Sequence, residues 1–289
     1  MTLEEKLGEI ERQRRDISSS SSKQGMTRKI PQDSETCPVC GGMEWVLSEE
    51  GGVLAAAPCR CRKKNLMERR LRFADIPEAF REMRLGTFRV DVYREPEQKK
   101  KALAACRMVK EYLGMFREAE ERGMGLYLYS GTKGSGKTRM AASIANELME
   151  AHDAQVRFAV STEILAEIRR TFDKGSEYTQ SQVLDALKMV EVLVLDDFGT
   201  EKVTEWVADQ FYHILNSRYV SRKVTIFTSN ESLGTLKYDD RITNRIKERS
   251  YQIDFPEESV REHMAEGNMQ YMIGRVMRTG RRTGHDRRE

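Results

Sequence analysis

The stretch "GTKGSGKT", Gly131 to Thr138, sets three glycines, a lysine and a hydroxyl side chain in the spacing G-x-x-x-x-G-K-[ST]. Glycines at 131, 134 and 136 let a backbone bend tightly and approach an anion, as in a phosphate-binding P-loop. Successive N–H groups from Gly134 to Thr138 would cradle a β-phosphate at a helix N-terminus, where the helix dipole favours negative charge. Lys137 would add positive charge at the β- and γ-phosphates, and the Thr138 hydroxyl would coordinate Mg²⁺. The candidate nucleotide-binding set is Gly131, Thr132, Lys133, Gly134, Ser135, Gly136, Lys137, Thr138 and the adjoining Arg139. "GLYLYS" before the loop reads as a strand and "TRMAASIANELMEA" after it as a helix, the setting this mechanism requires.

A second motif, "VEVLVLDDFG", reads as a buried apolar strand ending in two carboxylates. Asp196 would stand at the C-terminal edge of a sheet and hold Mg²⁺ through water, and Asp197 would orient or deprotonate an attacking water. The pair would equally suit a plain strand end that caps the next segment. Together the two motifs make ATP hydrolysis the natural chemistry, because phosphoryl transfer needs mainly positioning and charge stabilisation. A P-loop alone, however, is compatible with kinases, transporters, GTPases and motors.

Three downstream segments narrow that choice. Asn230 ends the strand-like "KVTIFTSN", where it can touch a γ-phosphate or its water, although asparagine is also a common turn residue. Arg241 and Arg245 in "YDDRITNRIKERS" fall four apart on one helical face, and such an arginine can complete a neighbouring subunit's site. In "YQIDFPEESVREHM" a strand and a proline break precede Arg261, which from a helix start can reach the nucleotide of its own subunit. Each arginine also suits an ordinary surface ion pair.

The cysteines suggest separate chemistry. "CPVC" and "CRC" place Cys37 with Cys40 and Cys59 with Cys61, two close pairs separated by a loop, the pattern of a tetrahedral Cys₄ zinc site with Gly41 and Gly42 in its tight turn. Unpaired thiols and an iron–sulfur site are the alternatives. Four thiolates close the coordination shell, so Zn²⁺ here would be structural and would fold a module too small to hold itself together. Cys106 falls on the apolar face of a helix and reads as core.

These residues need an ordered frame. The 289-residue chain is 39% hydrophobic and 33% charged, a globular composition, and its net charge of +3 identifies no partner. Neither a signal-peptide core nor an apolar run approaching the roughly 18 residues of a membrane helix is visible, so a cytoplasmic protein without membrane partners is expected. We divide the chain into an N-terminal helix (apolar at Leu3, Leu7 and Ile10) with a serine-rich flexible linker, 1–35; a zinc-binding module with a basic helix and connector, 36–95; an ATPase domain, 96–274; and a basic tail, 275–289. The 98–122 stretch reads as one helix, with apolar residues at Leu103, Cys106, Val109, Leu113 and Phe116 in a helical period. From Gly125 onward strands alternate with helices, which requires an α/β fold with a parallel sheet flanked by helices. Arg275, Arg278, Arg281, Arg282, Arg287 and Arg288 can contact nucleic-acid phosphates or simply be solvated; no aromatic residues interleave them to stack on bases.

Taken in order, "GTKGSGKT", "VLVLDDFGT", "TIFTSN", "RITNRI" and "SVR" resemble the AAA+ ATPases, most closely the DnaC/DnaI-type helicase loaders and their relatives, the IstB-type transposition ATPases. The resemblance spans roughly Cys37 to Met264. It implies that Asp196 serves Mg²⁺, Asn230 is sensor 1, Arg245 (Arg241 as the weaker candidate) acts in trans within a homo-oligomer, and Arg261 is sensor 2. The implied catalytic set is thus Lys137, Asp196, Asp197, Asn230, Arg245 and Arg261, with ATP, Mg²⁺ and Zn²⁺ as cofactors. A cysteine-rich N-terminal module is similar to that of the DnaI-like branch, which implies a replicative DNA helicase as partner, loaded onto single-stranded DNA, with ATP hydrolysis as a switch. An IstB-like transposition helper and a non-hydrolysing nucleotide-bound adaptor are the rival readings. Two departures stand out: Arg139 replaces a histidine common after the P-loop threonine, and Asp197 replaces the usual catalytic glutamate, a shorter acid that implies slow turnover.

Overall fold

A computed structural model describes residues 37–40, 42–50, 53–62, 74–173 and 179–282. The expected N-terminal helix, the serine-rich linker, Gly41, the basic helix after Arg62 and the tail from 283 lie outside these residues. The chain divides into two compact units, Met1–Arg62 and Lys63–Glu289. In the smaller, β1 (Trp45–Glu50) and β2 (Val53–Pro58) form an antiparallel hairpin whose register runs from Trp45 opposite Pro58 to Glu50 opposite Val53.

The larger unit begins with the 3₁₀ turns Glu78–Phe80 and Leu85–Thr87, then α1 (Pro96–Gly114) and α2 (Phe116–Arg122). The alternating part follows: β3 (Gly125–Tyr129), α3 (Lys137–Ala151), β4 (Val156–Val160), α4 (Ser161–Arg170), α5 (Gln180–Met189), β5 (Val192–Asp196), α6 (Glu205–Val220), β6 (Val224–Ser229), α7 (Asp240–Glu248), β7 (Ser250–Asp254) and α8 (Val260–Arg282). The five strands from β3 to β7 are all parallel in the order β4-β5-β6-β3-β7. This is the expected α/β class.

Side-chain alternation along the strands explains why both faces are covered. Leu126, Leu128, Val192, Val194 and Ile226 point to one face, against Val109, Tyr112 and Phe116 of the first two helices and Met140, Ile144 and Leu148 of α3. Tyr127, Leu193, Leu195 and Phe227 point to the other, against Ile164 and Ile168 of α4, Leu187 of α5, Phe211 and Ile214 of α6 and Ile242 of α7. Hydroxyl and carboxylate caps set the helix starts: Thr179 accepts from the Gln182 amide, Thr204 from Val207, and Asp239 from Ile242.

Two expectations need correcting. The 98–122 stretch is two helices, broken at Met115, and its buried face carries Ala102, Ala105, Val109, Tyr112 and Phe116, while Leu103 is 43% exposed. Of the apolar residues read from the sequence, Val109 and Phe116 are buried and Leu113 packs partly buried against the core, so Leu103 is the one that turns outward. Cys106 packs partly buried against the core, as expected. Residues 74–93, grouped in the sequence with the cysteine module, belong to the larger unit, where Ala74, Ile76 and Tyr93 are buried.

Candidate nucleotide site and cysteine centre

The strand order puts β6 between β5 and β3, so the ends of three parallel strands deliver Asp196, Asn230 and the Gly131–Thr138 loop to one sheet edge. Crevices outside the carboxyl ends of parallel strands are where open α/β sheets take ligands. Here the crevice is a cleft of ≈ 460 Å³ lined by Lys133, Gly134, Ser135, Gly136, Lys137, Thr138, Arg139, Asp197, Thr200, Asn230 and Arg261, with Phe80, Val260 and Met264.

The loop has the backbone an anion cradle needs. Gly134 (φ 80°) and Gly136 (φ 98°) are left-handed, and a Cβ at Gly134 would lie 2.9 Å from Ser259 Oγ and 3.1 Å from Arg261 Cγ. A Cβ at Gly136 would meet Tyr93 Oη at 3.1 Å. Lys137 opens α3 and is 5% exposed; its Nζ donates to Ser130 O (3.0 Å), Thr132 O (3.1 Å), Ser135 Oγ (3.3 Å) and Asn230 Oδ1 (2.8 Å). Burial lowers its pKa to about 8, against the opposing charge of Asp197. Gly131 and Thr132 are engaged differently: their amides donate to the Glu257 carboxylate at 3.1 and 2.9 Å.

Asp196 is 4% exposed, and burial raises its pKa to about 6 although Thr228 Oγ1 donates to its Oδ1 at 2.6 Å. Thr228 Oγ1 in turn accepts the Asp197 amide at 2.9 Å, so one threonine seats both carboxylate residues. Asp197 leaves the strand at φ 54° and, half-buried, lines the cleft. Asp196 and the Thr138 hydroxyl are hard oxygen donors that interact with each other, a donor set suited to Mg²⁺. Arg261 lies over Gly134 from the start of α8, whose Val260 amide donates to Gly134 O at 3.0 Å. Arg139 turns aside: its Nη2 donates to Thr87 O at 2.6 Å and its guanidinium faces the Phe88 ring at 5.9 Å.

Arg241 and Arg245 are not brought to this cleft. Arg245 lies over the rings of Tyr212 (5.2 Å) and Tyr219 (5.5 Å), with Nη1 on Arg241 O at 2.6 Å. Arg241 is exposed, faces Tyr212 at 5.0 Å and pairs with Asp239 at 2.8 Å. In the cysteine centre, the sulfurs of Cys37, Cys40, Cys59 and Cys61 all lie within 4.8 Å of one another. Cys37–Cys59 at 3.9 Å and Cys40–Cys61 at 3.4 Å bracket the about 3.8 Å edge of a tetrahedron with metal–sulfur bonds of about 2.3 Å. The backbone amides of Val39 and Cys40 lower the Cys37 pKa to about 6, and the Glu44 amide donates to Cys40 Sγ at 3.3 Å, while the hydrogen bond with Cys40 pushes the Cys61 thiol up; four sulfurs this close fit a cation that would take them as thiolates.

Sequence reasoning missed Thr228, Glu257 and Tyr93, whose hydroxyl donates to Ser135 O at 2.7 Å. Thr228 was legible as the polar residue two before Asn230. Glu257 and Tyr93 carry no spacing signal, because only the folded chain brings 126 and 42 residues of separation to contact distance.

Among curated proteins, the phage-like element PBSX protein XkdC of Bacillus subtilis is 26% identical over 253 residues, covering 86% of this chain and 90% of XkdC. The replicative helicase loader DnaI of Bacillus subtilis is 36% identical over 137 residues, covering 47% of this chain and 42% of DnaI. Among solved structures, that of the DnaC helicase loader covers 62% of this chain and 99% of its own, with a TM-score of 0.52 and 21% identity, a likeness of fold. Among the described residues no helix is long and apolar enough to cross a membrane. A model of IstB-like ATP binding proteins matches residues 53–263, and the chain belongs to that family, with the DnaC/DnaI-type loaders among its relatives.

Proposed function

We propose that this protein is an ATP-hydrolysing helicase loader whose nucleotide acts as a switch. The observation that carries the nucleotide chemistry is the convergence of Lys137, Asp197, Asn230 and Arg261 on one cleft, with Asp196 buried beside it. The amides of Gly134–Thr138 and the Lys137 ammonium bind the phosphates. Asp197 accepts the proton of the attacking water, Asn230 orients that water, and Arg261 meets the γ-phosphate from the same chain. Thr138 and Asp196 hold Mg²⁺, which when bound neutralises charge on the β- and γ-phosphates. The Cys₄ hairpin holds Zn²⁺ as a structural ion and, with the relatives named as loaders, supports a replicative DNA helicase as partner and single-stranded DNA as destination. In a homo-oligomer, Arg245 or Arg241 completes the neighbour's site. The division into a zinc module, an ATPase domain and a basic tail belongs to the same proposal.

The test mixes the purified protein with a replicative helicase and follows complex formation by size-exclusion chromatography with light scattering, with and without ATP. A complex that forms with the wild type and is lost in Cys37→Ser/Cys40→Ser is expected. No complex under any nucleotide condition would sink the loader reading. The match to the IstB-like family model favours one second reading, a transposition helper that binds duplex DNA, which would then take first place.

A further inference from the structure

Glu201 stands four residues beyond Asp197, is 7% exposed and has no part in the chemistry above. Its Oε1 accepts from the Gly199 amide at 3.1 Å and from the Tyr238 hydroxyl, while Oε2 is buried without a hydrogen-bond partner among the described residues. A buried carboxylate with an unpaired oxygen is costly, so its retention calls for a reason other than packing.

The reason lies in what Tyr238 joins. Its buried ring stacks on Phe198, with centroids 4.9 Å and planes 7° apart. Phe198 is fixed in the turn after the carboxylates: its amide donates to Thr228 O at 2.9 Å and its carbonyl accepts from Ser229 Oγ at 2.6 Å. Tyr238 therefore holds the turn twice, by its ring at Phe198 and by its hydroxyl at Glu201. Burial and the Glu201 charge push the phenol pKa up, so the hydroxyl stays a donor. The next residue, Asp239, caps α7 through its Oδ1 on the Ile242 amide at 3.1 Å, and α7 carries Arg241 and Arg245. An unbroken series of packed and hydrogen-bonded groups thus runs from Asp197 to the arginine helix.

We propose that Glu201 and Tyr238 are positioning residues that fix helix α7 to the Asp196–Asp197 turn, so that the arginines this subunit offers its neighbour are set by the state of its own nucleotide site. The inference rests on the hydrolytic, oligomeric reading above and deepens it. Gly199 and Asp197, both at positive φ, form a turn with a defined shape for Tyr238 to sense.

The experiment measures steady-state ATP hydrolysis by the full chain over a range of protein concentrations, together with binding of a fluorescent ATP analogue and thermal unfolding. Tyr238→Phe keeps the ring stack and removes the hydroxyl, so the variant retains its fold. The expected result is a kcat lower by about tenfold to a hundredfold, because small misplacements of a catalytic group cost on that order. The nucleotide Kd should stay within about twofold of wild type, as for an interaction outside the binding step. Whichever of Arg245→Ala and Arg241→Ala impairs the wild type should cost less in the Tyr238→Phe background, because both changes act on one contact. Glu201→Gln keeps the acceptor oxygen for the Tyr238 hydroxyl and should rescue at least about half the rate relative to Glu201→Ala. An unchanged kcat in Tyr238→Phe, fully additive losses with the arginine variants, or a Glu201→Gln protein as slow as Glu201→Ala would each overturn the link. If the wild type does not hydrolyse ATP, or neither arginine variant slows it, the parent reading has failed and the link falls with it.

Discussion

The Lys137 ammonium donates to Asn230 Oδ1 at 2.8 Å across 93 residues of sequence, tying the phosphate loop to the end of β6. The contact fixes the amide's orientation, with Oδ1 toward the lysine and the Nδ2 donor directed elsewhere. Asn230→Ala should lower kcat by about a hundredfold, the usual cost of one preorganised donor at a reacting centre. The KM for ATP should change by less than about tenfold, since Lys137 loses only one of its acceptors. Steady-state kinetics on the variant separates the two.

Asp196 gives the free protein a defined response to pH. Its pKa in the folded chain, about 6, lies above the ordinary value of 3.8 because the carboxyl is buried. Between these values the folded state binds more protons than the unfolded state, so this group's stabilising contribution is present at low pH and is lost as pH rises through about 6. Mg²⁺ needs the carboxylate, so Mg²⁺-dependent nucleotide binding should weaken by about tenfold per unit as pH falls below 6. Calorimetric titration of nucleotide with Mg²⁺ at pH 5 and pH 7, beside Asp196→Asn, checks the binding sign, and denaturant unfolding at the same two pH values checks the stability sign.

The cysteine hairpin should carry zinc in a one-to-one ratio, measured by elemental analysis of the purified chain. A strong chelator, or Cys37→Ser/Cys40→Ser, should abolish amide-exchange protection across 44–59, because a two-stranded hairpin is marginal in water without a further constraint. Iron in place of zinc would identify the alternative cluster chemistry.

Arg218 offers a stability test away from the site. It is 1% exposed, and its guanidinium donates to Leu187 O and Val190 O, each at 2.8 Å, and to Thr225 Oγ1 at 3.0 Å. Burial pushes its pKa down to about 9, and its hydrogen bonds satisfy backbone carbonyls where α5, β5 and β6 meet. Arg218→Ala should destabilise by about 3–5 kcal/mol, because several buried carbonyls lose their donor at once. Denaturant unfolding of the nucleotide-free protein measures it.

Local sequence was a good guide wherever geometry depends on neighbours in the chain. The glycines of "GTKGSGKT" must adopt positive φ close to an anion, and Gly134 and Gly136 do. The unbroken apolar run of "VLVLD" and the short β-branched run of "TIFTS" called for strands covered on both faces, and β5 and β6 are wholly buried. Ala102 and Ala105 of α1 escaped notice because alanine buries well while adding little to a hydrophobic count.

The sequence by itself therefore determined the α/β class, the phosphate loop, the paired carboxylates and the cysteine cluster, all of which rest on short-range spacing and backbone preference. Strand order, and with it which side chains meet, was decided only by the tertiary structure. It set β6 between β5 and β3, where Thr228 joins Asp196 to Asp197 and Asn230 meets Lys137. It also brought Glu257 onto the loop, seated Tyr238 against Phe198 and Glu201, and kept Arg241 and Arg245 away from the cleft their own chain forms. Such contacts are fixed by packing a twisted sheet between two helical layers, and no periodicity in the chain encodes them.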